Sequence, residues 1–231
     1  MDSNAPSTVD FLIAVYFAVA FVAARFFFDR FIFRRLAILL LSDGPTPLKI
    51  NEAVQAKIGK ISESMWKLMY YATVEAFVVS ITYQEPWVRD TKDCFRGWPN
   101  QELKFFRIGS IILALHDASD VLMEAAKVFK YSEKEFRASL CFALFALSWL
   151  VLRLIFFPFW VIKASSYHVR EVVPLSEFYG CSLYYIFNTM LLTLLVFHIY
   201  WWVLIYSMIT KQLKNRGKVG EDIRSDSEDD D

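Results

Sequence analysis

The stretch Phe105 to Lys130, FFRIGSIILALHDASDVLMEAAKVFK, decides the fold. It opens as a membrane helix, with Ile108, Ile111, Ile112, Leu113 and Leu115 in quick succession, and then carries His116, Asp117, Asp120 and Glu124 within nine residues. Helix positions three or four apart share a face. His116, Asp120 and Glu124 therefore form one stripe, with Asp117 beside it and Lys127 continuing it. A helix entering the bilayer near Phe105 places Asp117 about 18 Å deep, slightly past the midplane, and Glu124 near the far interface. An acidic residue at the bilayer centre costs about 2.5 to 3.5 kcal/mol, and a Leu or Ile returns only about 0.3 to 0.6. Such a helix cannot face lipid all round. Its stripe must meet other helices or a polar cavity, which makes the chain a multispanning bundle.

A span needs about 20 predominantly apolar residues. Besides 105–126, the pattern predicts spans over 11–28, 66–83, 138–162 and 182–209, so the expected fold is an all-α, multispanning integral membrane helix bundle of about five spans. Arg25, Arg30, Arg34 and Arg35 end the first, Pro86 ends the second, and Lys127 and Lys130 end the third. Pro158 falls late in the fourth, where proline kinks or closes a helix. Trp201, Trp202 and Tyr206 form an interfacial belt near the end of the fifth. The apolar start lacks a basic n-region and a small-residue cleavage site, so it reads as a retained span.

Of the 231 residues 56% are hydrophobic, too oily for an ordinary soluble domain. The formal net charge is zero but polarised along the chain, which favours a protein oriented in a membrane over one that grips nucleic acid. Cys94, Cys141 and Cys181 are widely spaced and follow no CxxC pattern, so neither a disulfide framework nor a zinc site is expected.

Basic residues set the orientation. Arg30, Arg34, Arg35, Lys49, Lys57, Lys60 and Lys67 place the first connection in the cytosol and the N-terminus in the lumen. Lys127, Lys130, Lys134 and Arg137 return the third connection to the cytosol, and five spans leave the C-terminus there too. The lumenal connection 84–104 mixes both charge signs. The expected domains are an N-terminal span with its basic loop over 1–64, a membrane domain over 65–210, and a disordered acidic tail over 211–231. In that tail Ser225 and Ser227 precede acidic residues, the pattern an acidophilic kinase prefers; the competing reading is an unmodified solubilising tail.

Other polar groups at membrane depth are available to the stripe: Glu75 in the second span, Arg153 in the fourth, Asn188 and His198 in the fifth. With Glu124 they are the candidate substrate-binding residues. The competing reading is interhelical glue, for example Arg153 paired with an aspartate. The His116, Asp120 and Glu124 spacing could ligate a cation, but a second-helix histidine set is lacking, and no metal is expected. His168 is assigned to a surface loop.

HDASDVLMEAAKVFKYSEKEF, LRLIFFPFWVIKAS, FNTMLLTLLVFHIYWWVLI and the ending LKNRGKVGEDIRSDSEDDD resemble the plant ceramide synthases of the Lag1 longevity-assurance type, with their TLC domain. The upstream stretch from Ser64 to Lys104 is similar to the same family. The resemblance implies an endoplasmic reticulum membrane enzyme that transfers an acyl group from acyl-CoA to the amine of a sphingoid base, with no cofactor and with possible homo- or heterodimers. It implies catalytic roles for His116, Asp117 and Asp120, which match the family's H-D-x-x-D motif. The family also carries an adjacent His-His pair one helix earlier. This sequence has only His116, His168 and His198, and Lys104 runs directly into Phe105, as if about two spans were missing at 104/105. Three functions follow as expectations: an N-acyltransferase, with this chain impaired by the missing pair; a non-catalytic isoform that associates with intact synthases; and a lipid-binding or sensing membrane protein.

Overall fold

The computed structural model describes residues 8–42, 51–89, 105–169 and 178–214. Those residues form five long helices and no strand: α1 (Thr8–Leu41), α2 (Glu52–Thr82), α3 (Phe105–Tyr131), α4 (Glu135–His168) and α5 (Phe178–Lys214). A single helical turn, Pro86–Arg89, follows α2. Each expected span falls on one helix, with 66–83 running one residue past the end of α2 at Thr82, and every helix extends beyond its span at one end or both. The boundary expected at 64/65 falls inside α2, which begins at Glu52. The junction at 104/105 and the tail from residue 215, with Ser225 and Ser227, lie at or outside the limits of the described residues.

Three helical stretches, Thr8–Leu41, Glu135–His168 and Tyr184–Lys214, are long and apolar enough to cross a membrane by composition. The other two helices are long enough, at 31 and 27 residues, but carry more charge. They shelter it in each other: α2 packs lengthwise on α3, and α3 on α4. Between Thr8 and Phe28, α1 buries no side chain in the protein. A helix apolar on every side and unburied by its neighbours is one solvated by lipid. Its second half docks on α2: Phe21 lies edge-on to Trp66 and Tyr70, at ring-centroid distances of 5.1 and 5.5 Å. A wide helical turn at Asp29–Phe33 points Asp29 at Ser62 of α2, whose hydroxyl it accepts.

Local chemistry sets the helix ends. Asn51 caps α2, its side-chain oxygen accepting the Val54 N–H at 2.9 Å. At the end of α3, Glu133 takes φ 61°, and the Lys134 N–H reaches back to the Phe129 carbonyl at 3.0 Å. This left-handed cap reverses the chain directly into α4. Past Ser148, α4 widens to i→i+5 turns that run through Pro158, and the helix continues to His168 instead of ending at the proline. His168 thus lies on the last turn of α4 and not in a loop, and its Nδ1 is buried.

Three apolar clusters hold the bundle. Ala37, Ile58, Ile61 and Val128 join α1, α2 and α3 at the end rich in lysine and arginine. Ala126, Phe142, Phe145, Trp149 and Ile205 join α3, α4 and α5 in that same half. Trp87, Ile108, Phe157, Val161 and Leu191 close the opposite half. The polar stripe of α3 lies between the last two.

Candidate functional site: a buried polar layer

The i, i+4 periodicity of α3 brings His116 and Asp120 to the side facing α4 and α5, with Asp117 and Glu124 buried at 5% and 2% exposure. Arg153 of α4 enters this layer and is itself 6% exposed. Its Nη2 donates to Asp120 Oδ1 at 2.8 Å and to the His116 carbonyl at 2.9 Å. The guanidinium lies 3.9 Å from the ring centroid of Trp149, one turn earlier on α4. A buried arginine needs both compensations: charge pairing, and an aromatic face that tolerates its weakly hydrated plane.

His198 of α5 completes the layer. Its Nε2 is 2.8 Å from Nε2 of His116, and the ring centroids are 4.8 Å apart. His116 Nδ1 is 2.6 Å from the Ile112 carbonyl one turn back. A carbonyl only accepts, so Nδ1 of His116 carries a proton. In the neutral ring its Nε2 is then a bare acceptor, and the bridging proton belongs to Nε2 of His198. Nδ1 of His198 is left as a buried lone pair without a hydrogen-bond partner among the described residues. Phe157 packs edge-on against both imidazoles and Trp149 against His198, whose carbonyl accepts the Trp149 indole N–H at 3.3 Å.

The other sequence candidates divide. Glu124 accepts Lys127 of its own helix at 3.0 Å through Oε1, and its Oε2 is buried without a partner among the described residues. Asp117 Oδ2 and Glu75 Oε2 are likewise buried and without a partner among those residues. Asn188 lies outside this layer. It accepts the Ser165 hydroxyl at 3.0 Å and donates to the Tyr184 and Ser165 carbonyls at 2.9 and 3.3 Å, clamping α4 to α5. Trp149 is the member that sequence reasoning missed; its i, i+4 spacing to Arg153 was the available signal. No group of three or more His, Cys, Asp or Glu side chains suited to a metal ion occurs among the described residues.

Beside the histidines an open groove of about 470 Å³ runs along α5, lined by Ile112, Phe187, Met190, Leu191, Leu194 and Phe197 among others. Its lining is almost wholly apolar. A buried layer holding imidazoles, carboxylates and a guanidinium beside a hydrocarbon-compatible groove can move protons next to a lipid chain.

The TLC domain family model matches residues 103–207, the stretch that contains this whole layer except Glu75. Ceramide synthase LOH2 of Arabidopsis thaliana is 52% identical, over 96% of this chain and 93% of its own length. The chain belongs to the ceramide synthase family. ASC1-like protein 3 of Oryza sativa subsp. japonica is 49% identical over 95% of both chains, and ceramide synthase 5 of Mus musculus 27% identical over 77% of this chain. The LOH2 alignment spans 274 positions against the 231 residues here, so that ceramide synthase has residues without a counterpart in this chain.

Proposed function

We propose that this chain is a sphingoid-base N-acyltransferase, joining the acyl group of an acyl-CoA to a long-chain amine to give ceramide. The observation that carries the reading is the buried layer of His116, Asp120, Arg153 and His198 beside an apolar groove. Aminolysis of a thioester needs a proton acceptor near the amine, and groups that orient the amine and offset developing charge. The imidazoles supply the first. Asp117 and Asp120 supply the second: Asp120 is held by Arg153, and Asp117 has a bare oxygen for an ammonium. Glu75 and Glu124 add carboxylates at the edges of the layer. The enzyme works in the endoplasmic reticulum membrane with its N-terminus lumenal and its basic end and acidic tail cytosolic, where acyl-CoA arrives, and it requires no cofactor. It pairs with itself or with other ceramide synthase subunits, and Ser225 and Ser227 are phosphorylation sites in the tail.

A second reading is favoured by one observation. None of the three histidines is adjacent to another in sequence, and the alignment to LOH2 requires gaps. With the missing residues at 104/105, the chain has lost about two spans and the family's His-His pair. It then acts as a non-catalytic subunit that associates with intact synthases. The deciding experiment is an acyl-CoA-dependent ceramide synthesis assay on membranes of a cell lacking its own synthases and expressing this chain alone. Ceramide that disappears with Asp117→Ala supports the acyltransferase. No ceramide, with activity returning when the two spans are restored, supports the subunit.

A further inference from the structure

His198 lies 82 positions from His116 and outside the H-D-x-x-D motif, yet the fold brings the two imidazoles into direct hydrogen-bond contact. We infer that His198 is the proton acceptor for acyl transfer in this chain, through its Nδ1, and that His116 positions it; the inference rests on the acyltransferase reading. Three features carry it.

The bonding pattern is directional: the Ile112 carbonyl holds Nδ1–H of His116, and Nε2 of His116 holds Nε2–H of His198. Within the pair, the ring nitrogen left with a free lone pair is Nδ1 of His198, a residue 2% exposed, and it is unpartnered among the described residues. An unmade hydrogen bond at such a site is destabilising, so the fold retains a group that substrate can satisfy. The location also fits. The groove's lining includes Ile112 and Leu194, each one helical turn before a histidine of the pair, so a hydrocarbon chain lying in it runs within one turn of the two imidazoles.

The step balances without any further reactant. The amine nitrogen attacks the thioester carbonyl carbon, the N–C bond forms and the C–S bond breaks. Nδ1 of His198 takes the proton lost by nitrogen and returns it to the departing CoA sulfur as a thiol.

The test uses the full chain in lipid nanodiscs and in synthase-deficient membranes. Nitrogen-15 NMR of labelled histidine reads the tautomers directly. A bare Nδ1 and protonated Nε2 on His198 is the expected result; a protonated Nδ1 overturns the inference. In the assay, His198→Gln lowers turnover about 100-fold or more while the protein accumulates with unchanged helix content. His168→Gln leaves turnover unchanged. His116→Gln lowers kcat with KM unchanged and shifts the pH profile, which a purely structural role would not. That profile also feels Asp117, Asp120 and Glu124 of α3 and Arg153 of α4, and on α2 Tyr71, which faces Asp120, Glu124 and Asp117, and Glu75, which faces Asp117. An active chain in which His198→Gln retains full turnover overturns the role of His198 and leaves the acyltransferase reading standing. A wild-type chain without turnover overturns both.

Discussion

Arg153 on α4 bonds Asp120 on α3 at 2.8 Å, with the arginine side chain 7% and the aspartate side chain 20% exposed. Because the same Nη2 also donates to the His116 carbonyl, the arginine fixes both the rotation and the height of α3 against α4. This one contact explains how α3 keeps an acid at membrane depth and still forms part of a packed bundle.

Breaking that pair from one side leaves an uncompensated buried charge. Arg153→Met is expected to destabilise the protein by about 3 to 5 kcal/mol, read by thermal unfolding in detergent. The double variant Arg153→Met with Asp120→Asn recovers much of the loss, and a double-mutant cycle measures the coupling. A double-variant loss equal to the sum of the two single losses would show that the pair carries no coupling.

Asp117 differs from Asp120 in having a bare, buried oxygen. Removing its charge relieves a desolvation cost, so Asp117→Asn leaves stability unchanged or raises it by about 1 kcal/mol. Ceramide synthesis falls at the same time. Activity and stability falling together would instead make Asp117 a packing residue.

Asn188 makes all of its hydrogen bonds within the α4–α5 clamp. Asn188→Leu removes all three bonds of the clamp, leaving the Ser165 hydroxyl only the Ile162 carbonyl of its own helix, and is expected to cost about 1 to 3 kcal/mol, again by thermal unfolding. At temperatures where the variant stays folded, KM for acyl-CoA is unchanged. A KM effect at low temperature would return Asn188 to the substrate site.

Just before the second span begins, the Glu63 carboxyl lies 2.6 Å from Lys67, whose hydrogen bond holds it below the usual carboxylate range. A depressed carboxylate stabilises the fold above its unfolded pKa and loses that contribution as pH falls through the lower folded value. Both groups are about half exposed, so the increment is small. Unfolding temperature is expected to drop slightly on the acid side of about pH 4.3, and Glu63→Gln flattens that drop.

The sequence by itself determined the helices and the polar stripe. Both follow from local rules: apolar runs must reach across the bilayer, and charges at one helical spacing must share a face. His116, Asp117, Asp120 and Glu124 were legible as a buried cluster for that reason, and Arg153 and His198 as its possible partners. Partner choice was not legible. Glu124 bonds Lys127 on its own helix, Arg153 takes Asp120 and not Asp117, Asn188 turns away to Ser165, and His198 meets His116. These outcomes depend on how far each helix is rotated about its axis and slid along its neighbour. Rotation and height are set by side chains from separate helices packing together, above all Phe157 and Trp149 against α3 and α5, and no periodicity within a single segment encodes them.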